Sequence, residues 1–190
     1  METRKILLQV ALELFAEKGF EKTHASEIAQ KARVAVGTIC LHFGNKEGLL
    51  RAILVDVADT IYVLVKEVYE QHPSAPPDAL ARMHIEQIVQ YVEENRKLAP
   101  FVLGYALSRH PIGTQIIDLM ISQVEESIRL GQAAGIYRTD ILLPLAARAE
   151  GHMNLGLISW WIEHPTLATR DEIVDTLVKF RLSGLYPPAK

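Results

Sequence analysis

The 190-residue sequence predicts an all-α fold. Apolar residues recur at the 3.6-residue helical period over long stretches, and strand-like alternation is absent throughout. Composition agrees: 49% hydrophobic and only 7% aromatic residues. A chain of this length buries roughly 70% of its unfolded surface, enough for a sizeable core. The longest uncharged apolar runs fall short of the roughly 20 residues a membrane span needs. Charged residues recur from Glu2 through Lys22, so no signal peptide is expected. A single cysteine excludes an intrachain disulfide and fits a cytoplasmic location.

The first helix is expected from about Thr3 to Lys18, with Ile6, Leu7, Val10, Leu14 and Phe15 as its core stripe and Gly19 as its stop. Arg4 and Lys5 at its start either reach phosphates or are solvated ends. A short second helix follows from Thr23, its expected cap, to Lys31, with Ile28, Ala29 and Ala32 facing inward. About four residues, Ala32 to Ala35, turn the chain into another short helix, Val36 to Phe43. Val36, Ile39 and Phe43 lie on one side of it, and Gly37, Thr38, Leu41 and His42 nearer the other. A helix under three turns long needs neighbours to pin it. Helix, tight turn, helix is the spacing that places a recognition helix in a DNA major groove. Two packed helices without a nucleic-acid role share that spacing, and periodicity alone favours them.

Gly44 and Asn45 break the chain again, and Asn45 is a good cap for a helix beginning at Lys46. No breaker appears until His72-Pro73, so that helix is some 27 residues and about 40 Å long. It leaves the N-terminal unit and enters the next without a linker. Ser74 to Pro77 is the clearest loop. Further helices are expected to about Asn95 (inner side Leu80, Met83, Ile88, Val92), over Pro100–Arg109, over Gly113–Ala134 with Gly135 as stop, and over Asp140–Glu163. A capping box, Thr169 to Glu172, opens the last one, Ile173 to Leu185. The 140–163 helix is apolar over most of its circumference and must bury both sides.

Net charge is −3 for the chain, which argues mildly against nucleic acid. Residues 1–50 hold seven Lys/Arg against six Asp/Glu, or +1, so that unit can still present a basic face. There is no Gly-rich phosphate loop, H-E-x-x-H, Cys pair or G-x-S-x-G elbow, and an enzyme is not expected. Glu150 and His152, at i and i+2, do not share a helix face, and no metal or cofactor is implied. Tyr62, Val65, Tyr69, His84, Tyr91, Tyr105 and His110 are candidate lining for a small-molecule pocket, with His84, Tyr91, Tyr105 and His110 as polar tips in an apolar neighbourhood. Simple core packing is the competing reading for each.

Thr23, Ile28-Ala29, Gly37-Thr38, His42-Phe43, Lys46-Glu47 and Leu49-Leu50 resemble the N-terminal domain of the tetracycline-repressor (TetR) family of bacterial transcriptional regulators. The resemblance extends back through Ala11, Leu14, Phe15, Gly19 and Phe20, and covers roughly the first 55 residues. It implies a three-helix helix-turn-helix DNA-binding domain at 1–60, with its motif at about 24–43. A long helix then joins it to a ligand-binding and dimerisation domain at 61–190, about nine helices in all. It implies DNA contacts from Thr23, Lys31, Arg33, Val36, Gly37, Thr38, Leu41, His42 and Lys46. The last two helices would pair with their twofold mates, through Gly151, Gly156, Trp160, Trp161, Ile173 and Leu177. The expected partners are a double-stranded operator, a small organic effector and a second copy of the chain; no membrane partner is expected. Four departures stand out: Arg33 where the family usually has glycine, Ala35 for a capping serine, Cys40 for an aromatic, and Leu41 for a polar base-facing residue. They leave open a dimeric interaction or ligand-sensing protein with a weakened helix-turn-helix.

Overall fold

A computed structural model describes residues 2–185. Nine α-helices make up its regular structure among the described residues: α1 (Glu2–Lys18), α2 (Ala25–Lys31), α3 (Val36–Phe43), α4 (Lys46–Gln71), α5 (Pro77–Glu94), α6 (Ala99–Ala106), α7 (Pro111–Ala133), α8 (Leu143–Glu163) and α9 (Arg170–Leu185). Most boundaries fall within two or three residues of those the sequence predicts. The second helix is the instructive exception. It starts at Ala25, with His24 in the cap position and no side-chain capping bond. Thr23 does not cap it, because its hydroxyl is buried and donates to the carbonyls of Gly19 (2.9 Å) and Leu14 (3.3 Å). It fastens the α1–α2 turn to the end of α1.

Two apolar cores share the molecule. In the first, Leu7, Ala11, Leu14 and Phe15 of α1 meet Ile28, Ala29, Ile39, Leu49, Leu50, Ile53 and Leu54. Ile39 is the side chain that pins the short α3 into this core. The core is not closed by residues 1–60 alone: Ile112 and Ile116 of α7 are part of it, and Phe101, Val102 and Tyr105 of α6 pack against it. The second core gathers α5, α7, α8 and α9. On α5 the inner register is Leu80, Ala81, His84, Ile85, Val89 and Val92, so Met83 and Ile88 flank that stripe rather than form it. α4 contributes Leu49 through Leu54 to the first core and, further along, buries Ala58, Val65 and Val68.

Local chemistry sets the joints. Asn45 accepts the Gly48 amide at 2.7 Å, the expected cap of α4. A Cβ at Gly48 would lie 1.9 Å from the Phe43 carbonyl oxygen, so only glycine lets α4 start this close to the end of α3. At the other end of the chain, Thr169 and Glu172 exchange reciprocal bonds, Thr169 N–H to the Glu172 carboxylate (2.8 Å) and Glu172 N–H to the Thr169 hydroxyl (3.3 Å). This is the capping box read from the sequence.

The turn between α2 and α3 is a Schellman motif. The Val34 amide bonds the Ala29 carbonyl (2.9 Å) and the Arg33 amide the Gln30 carbonyl (3.1 Å). That geometry puts Arg33 at φ 58°, the only positive φ of a non-glycine residue among those described. Left-handed backbone costs a side-chain-bearing residue about 1–2 kcal/mol. Arg33→Gly should therefore raise stability by about 1 kcal/mol, and Arg33→Val should lower it by a similar amount, in urea unfolding curves. Equal midpoints for the three proteins would show the turn relaxes freely.

Candidate nucleic-acid interface and ligand cavity

With Ile39 turned inward, α3 presents Val36, Gly37, Cys40 and Leu41 to solvent along one face. Leu41 is 82% exposed and Val36 50%, unusual for large apolar side chains on so short an element. His42 is exposed and Thr38 half-buried at the flanks of that face. The Cys40 thiol donates to the Gly44 carbonyl at 3.1 Å. Ala35, at the helix start, provides no side-chain cap. Lys31 and Arg33 are exposed at the end of α2, Lys31 within 3.2 Å of the Glu13 carboxylate. Val36, Gly37, Leu41 and His42 on α3 are thus exposed, as are Lys31 and Arg33 at the turn that precedes it.

Two of the expected contacts are placed otherwise. The Thr23 side chain is fully buried and both its hydrogen bonds are internal, so it has no hydroxyl to offer a phosphate. Lys46 is half-buried, its ammonium donating to the carbonyls of Phe20 (2.9 Å) and Thr23 (3.1 Å) and sitting 4.2 Å over the Phe20 ring. It ties the start of α4 to the α1–α2 turn. The sequence shows the charge but not that these carbonyls consume it.

A cavity of about 140 Å³ lies where the two cores meet. α4 supplies Leu54, Val57, Ala58, Ile61, Tyr62 and Val65 to its wall, and even α1 reaches it through Leu12. Of the predicted lining, Tyr62, Val65, His84 and Tyr91 are in the wall. Tyr69, Tyr105 and His110 are not. Tyr69 borders a neighbouring hollow of about 300 Å³ that shares Tyr62, Val65 and Ser127 with the first. Tyr105 packs with Phe101 and Phe20 beside the N-terminal core. His110 caps α7, its Nδ1 accepting the Ile112 amide at 3.2 Å.

The cavity wall is mainly apolar, and the sequence reading missed its charged region. Glu150 and Asn154, one turn apart on α8, and Arg181 on α9 are 5%, 9% and 2% exposed and line it together. Arg181 forms an ion pair with Glu150 and donates to the hydroxyls of Tyr137 (2.6 Å) and Tyr69 (3.0 Å). Tyr69 also bonds Tyr137 (2.9 Å) and His84 Nδ1 (3.1 Å). Tyr137 reaches this network because Gly131 leaves room for its ring: a Cβ there would sit 2.1 Å from Tyr137 Cδ2. One signal was available. Arg181 falls on the Val174, Leu177, Val178, Leu185 stripe, and a charge on a buried stripe needs a buried partner.

The titration of these groups follows from burial. Burial raises the Tyr69 phenol far above its ordinary range, so it remains a neutral donor. Burial, and secondarily the Arg181 cation, hold the His84 imidazole well below 6.5. Unfolded, His84 takes up a proton near pH 6.5; folded, it does so only at much lower pH. The stability it contributes is therefore full above pH 6.5 and falls as pH drops, by up to about 1.4 kcal/mol per unit. His84→Gln should flatten the stability loss between pH 6.5 and 5.5 in urea titrations. An unaltered slope would mean that His84 is protonated in the folded protein.

The expected pairing surface divides as well. Gly151, Trp161, Ile173 and Leu177 are buried inside the chain's own core and cannot meet a second copy. Gly151 serves an internal approach, its Cβ position lying 3.3 Å from Ile121 of α7. Gly156 and Trp160 are exposed, and with Leu145, Ala149 and His152 they form one continuous stripe along α8. Phe180 is an exposed aromatic on α9.

A family model of bacterial regulatory proteins, tetR family, matches residues 7–53, from α1 into α4. The HTH-type transcriptional repressor KstR2 of Rhodococcus jostii (strain RHA1) is 25% identical over 194 aligned positions, covering 97% of this chain and 92% of the relative. Two other matches to regulators extend over only 52 or 53 residues and 18–28% of those relatives' length. The solved complex of SmeT with triclosan superposes with a TM-score of 0.77 at 20% identity, covering 100% and 94% of the two chains. FadR of Thermus thermophilus, a transcriptional repressor in complex with lauroyl-CoA, does so with a TM-score of 0.72 at 20% identity and 98% coverage of each. At these identities the two structures establish a common fold. No helix among the described residues is long and apolar enough to cross a membrane.

Proposed function

Because residues 7–53 match the tetR family of bacterial regulatory proteins, we propose a ligand-responsive transcriptional repressor that binds a palindromic operator as a homodimer. The observation that carries this reading is the position of the cavity, whose wall includes six residues of the helix that leads straight back to α3. In this reading residues 1–60 read DNA and residues 61–190 bind effector and partner. The effector is a small organic molecule, as in the SmeT–triclosan and FadR–lauroyl-CoA complexes.

DNA binding follows from the exposed face of α3. Gly37 allows close backbone approach, Thr38 and His42 donate to phosphate or base edges, and Lys31 and Arg33 add charge at the rim. Val36 and Leu41 bring apolar atoms suited to thymine methyl groups. Thr23 and Lys46 hold the motif together in place of touching DNA. Lys31→Ala and Arg33→Ala should each weaken binding to all sequences alike and lower the slope of affinity against salt by about one. The measurement is fluorescence anisotropy on upstream DNA located by footprinting, from low to moderate salt. The uncapped, apolar α3 favours a second reading, an effector-sensing protein whose helix-turn-helix is weakened. Failure to find any salt-dependent specific complex would decide for it.

The stripe of Leu145, Ala149, His152, Gly156 and Trp160, with Phe180 beside it, is the proposed dimer face. Gly156, with open space around it, permits close approach of a partner helix. Trp160→Glu should give monomers in sedimentation and abolish operator binding, since a dimer reads two half-sites about 34–36 Å apart or a multiple of that. A dimeric Trp160→Glu protein would move the interface elsewhere.

Effector and operator are coupled through α4. A molecule enlarging the cavity pushes on Leu54 through Val65, and a tilt of several degrees over about 39 Å displaces the α3 end by several ångströms. Twofold symmetry doubles the change in half-site spacing. A 100-fold preference of effector for the displaced state is about 2.8 kcal/mol of coupling, within the usual allosteric range.

A further inference from the structure

The cavity carries a chemical signature at its polar region. Glu150 Oε2 and Asn154 Oδ1 are both buried without a hydrogen-bond partner, in a wall that is mainly apolar but also includes Asn95, Gln123 and Ser127. Proteins seldom tolerate such atoms, since each forfeits its hydration. Both are acceptors on the same face of α8, and both belong to residues that line the cavity. They are complementary to a donor. Glu150 is already balanced by Arg181, so the region has no net charge to offer. A charged ligand head would lose its hydration and meet one member of the pair as a like charge.

We propose that the effector is a small neutral organic molecule whose hydroxyl or N–H group donates to Glu150 and Asn154, its apolar body filling the mainly apolar remainder. This inference rests on the cavity being the effector site, and it names what that site selects. The volume of about 140 Å³ matches a single ring or a short aliphatic skeleton, since an apolar cavity of about 150 Å³ takes up benzene. A head placed there sits against Glu150, which holds Arg181, which in turn donates to Tyr69 on α4. Recognition of the donor and displacement of the long helix therefore share one set of bonds.

The test uses the whole protein and four probes of one skeleton: 4-ethylphenol, its methyl ether, 4-ethylbenzoate and 4-ethylbenzylamine. Calorimetric titration should rank 4-ethylphenol first, with each of the others at least tenfold weaker. Asn154→Leu removes an unpartnered amide oxygen while keeping the branched shape and the number of side-chain heavy atoms. It should raise the melting temperature of the empty protein and cut the preference for phenol over ether at least threefold; Glu150→Gln should cut it as well where that variant folds. Equal affinity for phenol and ether, with both releasing operator DNA, overturns the donor inference and leaves the cavity as the effector site. Tighter binding of the benzoate or the amine overturns it also. Binding by none of the four overturns the inference together with the cavity reading.

Discussion

The constraint on which the rest of this molecule depends is that one uninterrupted helix belongs to two cores. α4 begins under a cap at Asn45, places Leu49 to Leu54 in the N-terminal core, and continues without a hinge to bury Val65 and Val68. A helix interior offers no soft dihedral, because each backbone amide is already committed to the preceding turn. Motion at one end therefore has to appear at the other. α6 and α7 reinforce this, lending Ile112 and Ile116 to the N-terminal core, with Phe101 and Tyr105 packed on it. The two cores are neighbours in packing as well as in sequence.

That arrangement explains why the cavity lies where it does. It occupies the junction at which neither core is complete, so its wall draws on α1 and α4 as well as on α5 through α9. Apolar lining alone would leave such a site indifferent to what fills it. The Glu150–Arg181 pair, backed by Tyr69 and Tyr137 outside the wall, introduces direction into a mainly apolar surface. Burying an ion pair brings little stability, because the lost hydration offsets the attraction. Its value here is specificity of contact: Arg181 joins α8, α9, the segment after α7 and α4 through single side chains.

The exposed surfaces show the opposite economy. On α3 large apolar side chains are left in water, and on α8 a stripe including Trp160, at 41% exposure, is left likewise. Both are short of partners inside the chain, and both face outward on elements whose inner sides are fully committed. Exposed apolar stripes of this kind are what the proposed DNA and dimer contacts would cover.

By itself the sequence determined the all-helical class, the element order, and the helix-turn-helix with Asn45 and the capping box at Thr169–Glu172. These are local properties, set by periodicity and by side chains within a few residues of the backbone groups they satisfy. It located part of the exposed face of α3, Gly37, Leu41 and His42, but grouped Val36 with Ile39, and Val36 is half exposed. Tertiary structure decided everything that hangs on long-range partners. Thr23 and Lys46 read as DNA contacts until the carbonyls of Leu14, Gly19 and Phe20 are seen to take their donors. Trp161, Ile173 and Leu177 read as dimer surface until α8 and α9 are packed on α5 and α7. The buried Arg181 lies 31 residues from Glu150 and 112 from Tyr69, distances over which sequence carries no pairing information. A helical period says that a face is apolar; only packing says which body buries it.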